Sequence, residues 1–203
     1  MKAQSLVFAV VGAFFGFLVG WILGSQQASP ARTAGAAQNA PVQQSAAAPA
    51  KTVDESLASS LRADVQREPS NAKPRIDLGN LYYDAERFDE AAKWYEEALK
   101  LDARNTDVST DLGICYYYLN QSDRALQQFD YSLNIDPKHT KTLLNQGVVR
   151  AFGKQDLKGA AGSWQKVIDL APNSQEAQAA KRMLDGIKAG HPEIGGTAST
   201  PQS

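Results

Sequence analysis

The chain repeats itself every 34 residues, and few folds tolerate such a period. Leu78-Gly79 followed by Tyr82 recurs as Leu112-Gly113 followed by Tyr116, and Gln146-Gly147 followed by Arg150 comes 34 later. Ala91 with Tyr95 recurs as Ala125 with Phe129 after 34 residues, then as Ala160 with Trp164 after 35. The third copy therefore carries one extra residue in its inner turn. Pro137 and Pro172 close the second and third copies; Pro69 lies two periods before Pro137, and Ala103 stands where a proline would close the first. A period of this length marks supersecondary units that cannot bury their apolar faces alone and must stack.

The pattern resembles the tetratricopeptide repeat (TPR), in which W-x2-L-G-x2-Y is followed by A-x3-F and then P. The resemblance covers residues 72–174, about half the chain. Arg75, Ser109 and Leu143 replace the leading Trp, and Gln146 and Arg150 replace Leu and Tyr in the third copy. The resemblance implies pairs of helices in contact through small residues, with Tyr82, Tyr95, Tyr116, Phe129 and Trp164 filling the space between them. Proline would end each second helix, because it lacks a backbone donor and disfavours helix in the residue before it. The expected architecture is all-α: a short TPR solenoid of repeats over 72–105, 106–139 and 140–174. Before it, Leu57, Leu61 and Val65 share one helical face in a half repeat over 52–71, with Thr52 or Asp54 as its cap. After it, Ser174 caps a polar-faced helix over 175–188 that closes the stack.

Residues 1–5 form a short tail before Leu6–Gly24, which contains no charged residue. Nineteen residues at 1.5 Å each span roughly 28 Å, near the hydrocarbon thickness of a bilayer. A cleaved signal peptide is the competing reading, but its apolar region usually runs about 7–15 residues. The expectation is one N-terminal transmembrane helix. With Lys2 before it and Arg32 the first positive charge after it, the helical domain is placed outside the cytoplasm, as in a bacterial inner-membrane protein with a periplasmic domain. Gly12, Gly16, Gly20 and Gly24 share one face of that helix and would let a second membrane helix approach closely. Residues 25–51 are rich in Ala, Gln, Pro and Ser; they and residues 189–203 are expected to be disordered.

No sequence motif for catalysis is present: no phosphate-binding glycine loop, H-E-x-x-H, G-x-S-x-G or C-x-x-C. A single cysteine, Cys115, excludes an internal disulfide and a multi-cysteine metal site, and it is expected to be a small buried residue. His139 and His191 lie far apart, and the net charge of −1 gives no reason to expect a nucleic-acid partner. No enzyme activity, cofactor, metal or small-molecule substrate is expected. Asn120-Gln121-Ser122 matches a glycosylation sequon by chance.

The resemblance implies a concave groove lined by the first helix of each repeat. Its residues would be Asp77, Asn80, Tyr83 and Asp84, then Asp107, Asp111, Ile114, Tyr117 and Tyr118, then Lys141, Leu144, Asn145, Val148 and Phe152. TPR domains that clamp a C-terminal carboxylate use a Lys/Asn/Arg set in this groove. Only Asn80 and Lys141 match it, while Ile76, Asp111 and Asn145 replace the rest, which argues against carboxylate capture. An aromatic, acidic groove suits a client segment with apolar anchors beside Lys or Arg. Residues 72–137 carry 13 acidic and 7 basic residues and residues 138–188 carry 4 and 9, a dipole that also allows head-to-tail self-association. The expected function is a membrane-anchored adaptor, scaffold or assembly factor. The alternatives are a self-assembling organiser of a membrane patch, and an accessory factor in c-type cytochrome maturation or Sec-translocon chaperoning.

Overall fold

The computed structural model describes residues 51–194. They form eight α-helices: α1 (Glu55–Arg67), α2 (Lys73–Asp84), α3 (Phe88–Leu101), α4 (Thr106–Tyr118), α5 (Ser122–Ile135), α6 (Thr140–Val148), α7 (Leu157–Leu170) and α8 (Gln175–Gly190). A 3-10 turn, Pro192–Ile194, follows. Each helix packs on the next. In addition α4 touches α6 and α6 touches α8, so first helices of successive repeats lie side by side.

The membrane assignment is corrected. The expected spanning helix over 6–24, with Gly12, Gly16, Gly20 and Gly24, lies outside the described residues, as does most of the linker. Among the described residues no helix is long and apolar enough to cross a membrane. The longest, α8, has 16 residues, against about 20 consecutive apolar ones for a span. The single-pass, periplasmic placement and membrane attachment through an N-terminal helix therefore have no structural support. The membrane-patch, cytochrome-maturation and translocon alternatives rested on that anchor and fall with it.

Local chemistry sets the helix limits. Side-chain oxygens of Asp54, Asn105, Asp156 and Ser174 accept from the backbone N–H three residues on, at 2.8–3.1 Å. Pro74 sits at the start of α2, where no backbone donor is needed. Between the helices of each repeat one residue has positive φ: Glu86 (60°), Asn120 (60°) and Gln155 (57°).

Glycine makes the tight contact inside each repeat possible. A Cβ on Gly79 would stand 2.4 Å from the Tyr95 ring, one on Gly113 2.4 Å from Phe129, and one on Gly147 2.2 Å from the Trp164 indole. Ala91, Ala125 and Ala160 are fully buried. The Trp164 indole N–H also donates to the Leu144 carbonyl at 3.1 Å.

The third repeat absorbs its extra residue in a π turn, Val149–Gly153, at the end of α6. The turn closes with the Asp156 N–H donating to the Arg150 carbonyl at 2.8 Å, where the first two repeats use Arg87 to Tyr82 and Gln121 to Tyr116.

Two apolar clusters form the core. One joins α1 to α5 around Leu78, Tyr95, Leu112, Cys115 and Phe129; the other joins α6, α7 and α8 around Leu143, Trp164, Val167 and Leu184. Polar groups fill positions that depart from the repeat pattern. Ser109, in the leading-Trp position, receives a hydrogen bond from the Ser132 hydroxyl at 2.7 Å and one from the Gln128 amide at 2.7 Å. Gln146 donates to Asp130 at 2.9 Å and accepts from Ser163 at 2.9 Å. Among the described residues no buried side-chain polar atom lacks a partner, so these substitutions carry no desolvation penalty of an orphaned group.

Candidate partner-binding groove

The groove residues named from sequence lie on α2, α4, α6 and the π turn, but they are not equally available. Asp77 accepts from Lys73 one turn earlier at 2.8 Å. Asn80 Oδ1 accepts from the Tyr95 hydroxyl at 2.7 Å, so this amide is tied to the repeat interior. Lys141 pairs with Asp111 at 2.8 Å, and Asp107 lies 3.3 Å from His139 Nε2. Between these pairs the Thr110 and Thr142 hydroxyls meet at 2.6 Å, and His139 Nδ1 lies 2.6 Å from the same Thr142 oxygen. This polar ladder fastens α4 to α6. Burial raises the Asp111 carboxyl above its ordinary range, against the opposing pull of Lys141.

Asn145 donates to the Lys141 carbonyl at 2.8 Å, within its own helix. Ile114, Leu144 and Val148 are half-buried and pack against the two apolar clusters. Asp84 is exposed and has no cationic partner among the described residues. Burial is the largest cause of a raised pKa at the Tyr83 hydroxyl, and burial with the neighbouring Tyr118 raises that of Tyr117. Both phenols stay neutral donors.

The open apolar surface is aromatic. Tyr118 is 53% exposed at the end of α4, and Phe152 is 63% exposed on the π turn. Tyr118 stacks on Phe88 at 4.3 Å between ring centroids, Phe88 meets Tyr83 edge-on at 5.5 Å, and Tyr117 tilts against Tyr118 at 5.9 Å. An open cleft of about 310 Å³ lies here, lined by Lys51, Tyr83, Asp84, Glu86, Phe88 and Tyr118. Lys51, Glu86 and Phe88 escape a reading confined to first helices, because they come from the entry segment and the inner turn. The 34-residue row Tyr83–Tyr117 was a signal that turn residues beside it deserved inclusion. Among the described residues no cluster of His, Cys, Asp and Glu has the geometry to hold a metal ion.

The family described as TPR repeat matches residues 79–119. No curated protein sequence matches the chain. Among solved structures, the first TPR of Spaghetti (RPAP3) bound to the HSP90 peptide SRMEEVD is 25% identical, with a TM-score of 0.52 over 58% of this chain and 93% of that one. The Sgt2 TPR domain from Aspergillus fumigatus is 25% identical, with a TM-score of 0.55 over 65% and 86%. The type III secretion translocator chaperone SycD of Yersinia enterocolitica is 19% identical, with a TM-score of 0.53 over 57% and 88%. The described part of this chain is thus an all-α, TPR-like helical solenoid, with the fold of a non-catalytic protein-interaction module.

Proposed function

We propose that the solenoid is an adaptor that binds a segment of a partner protein along the face built by α2, α4 and α6. One observation carries this reading: aromatic side chains of successive repeats, Tyr118 and Phe152, stand open on the same side. Exposed aromatics on a rigid scaffold are the usual anchors of an interface. The structural neighbours include a TPR domain with a bound peptide and a chaperone, which agrees with such a role.

The ligand differs from an acidic C-terminus. Lys141 is neutralised by Asp111 and Asn80 is engaged by Tyr95, so the two residues that match a carboxylate clamp are both occupied. The partner segment carries apolar anchors with basic residues beside them.

The test is a crosslinked pull-down with the full chain and its Tyr118→Ala/Phe152→Ala variant. Two interface anchors at about 2 kcal/mol each predict a loss of nearly a thousand-fold in affinity, with helical circular dichroism unchanged. Recovery of the same partners by both proteins overturns the reading.

A further inference from the structure

The groove's carboxylates are largely spent on internal partners, and this leaves the cleft at the first inner turn as the place where positive charge is recognised. Its walls are aromatic: Phe88 stacked on Tyr118, with Tyr83 against the edge of Phe88. Its rim carries Asp84 and Glu86. A cation is already there. The Lys51 ammonium, from the segment that enters α1, lies 3.3 Å from Glu86 Oε1, and both side chains are 64% exposed. An ion pair so open to water is worth little and is readily exchanged.

We infer that this cleft is the pocket for a lysine or arginine side chain of the partner segment, and that Lys51 is the chain's own occupant, displaced when the partner binds. The inference rests on the proposed segment-binding role and names its specificity. The aliphatic stem of a basic side chain lies along the aromatic wall, and its charged head reaches the two carboxylates. The backbone aids the placement. Glu86 holds positive φ, with its N–H bonded to the Tyr83 carbonyl at 2.9 Å, so its side chain leaves the turn from a fixed position. An acidic or neutral residue gains nothing there, since Asp84 and Glu86 repel the first and cannot pair with the second.

The test uses the immobilised full chain and a pool of random dodecapeptides, acetylated and amidated so that their termini carry no charge. Captured peptides are sequenced for residue enrichment. Wild type is expected to enrich peptides with Lys or Arg near an aromatic or aliphatic anchor, by about 5- to 20-fold over the same anchor beside Gln. Asp84→Asn with Glu86→Gln is expected to erase that preference while apolar peptides are still retained. Lys51→Ala, which touches no helix, is expected to tighten basic peptides about two- to five-fold. An unchanged basic preference in the Asp84→Asn/Glu86→Gln variant, or no gain with Lys51→Ala, overturns the pocket assignment and leaves the segment-binding role intact. Failure of wild type to retain any peptide overturns both.

Discussion

The same substitution, glycine to alanine within a helix, should have opposite effects at two places in this solenoid. In isolation the change favours a helix by about 1 kcal/mol. At Gly162, in α7, an added Cβ meets nothing within 4 Å, so Gly162→Ala should deliver about 0.5–1 kcal/mol of added stability. At Gly113 the added Cβ would lie 2.4 Å from Phe129 Cε1 and 2.7 Å from Cδ1. That is about 1 Å inside normal contact, against a ring with no exposed surface. Overpacking of this kind costs about 1–3 kcal/mol. With Phe129 fully enclosed the upper end applies, and subtracting the helical gain leaves a net loss of about 2 kcal/mol. For a chain of this size that lowers Tm by about 4–8 °C. Urea titration followed by helical circular dichroism measures both variants. A cycle with Phe129→Leu isolates the clash: the Gly113→Ala penalty should fall by at least about 1 kcal/mol once the ring is gone. If Gly113→Ala stabilises the protein, or if the two changes add, close glycine–ring contact is not what sets the helix spacing.

Three further outcomes follow from the same geometry. Gln155→Gly should stabilise the protein by about 0.5–1 kcal/mol by urea titration, because it relieves a positive φ, whereas Asn120→Ala should destabilise it. Thr142→Val should lose about 1–3 kcal/mol in the same assay and weaken hydrogen-exchange protection of both α4 and α6, since it leaves Thr110 and His139 without their shared hydroxyl. Burial pushes the Cys115 thiol up to about 12 from an ordinary value of 9.0, so the folded protein keeps its proton where the unfolded chain has lost it. Stability should therefore fall as pH rises from about 9 to about 12, an effect absent in Cys115→Ala, and alkylation near neutral pH should proceed only at the rate of opening.

The period in the sequence names the residues that touch. Gly79, Gly113 and Gly147 stand one period apart and so do Tyr95, Phe129 and Trp164, because the same close approach is built three times. Steric constraints of this kind leave a mark in residue type. Polar substitutions leave none. Nothing about Ser109, Gln146 or Thr142 announces that each is buried and bonded across a helix interface, since a hydroxyl or amide is tolerated on a surface as readily as in a satisfied network. The groove was partly readable for the same reason. Helix position assigns Asp111 and Lys141 to one face, but whether they meet a partner or each other depends on a distance of 2.8 Å that no pattern records. Phe88 and Glu86 lie in a turn, outside helical periodicity, and their part in the cleft emerges only from the packing. An uncharged run such as residues 6–24 has the composition of a membrane span, and that composition alone carried the anchor assignment.

The π turn at Val149–Gly153 has a consequence for how such an array changes over generations. In a stack where each unit takes its bearings only from its neighbours, one inserted residue would swing everything beyond it by about 100°. Here the swing is spent within five residues, and Ala160 and Trp164 still arrive at the places their counterparts hold. What the insertion alters instead is a single outward side chain, Phe152. A length change is thereby converted into a local change of surface, so the array can vary what it presents while its packing stays in register.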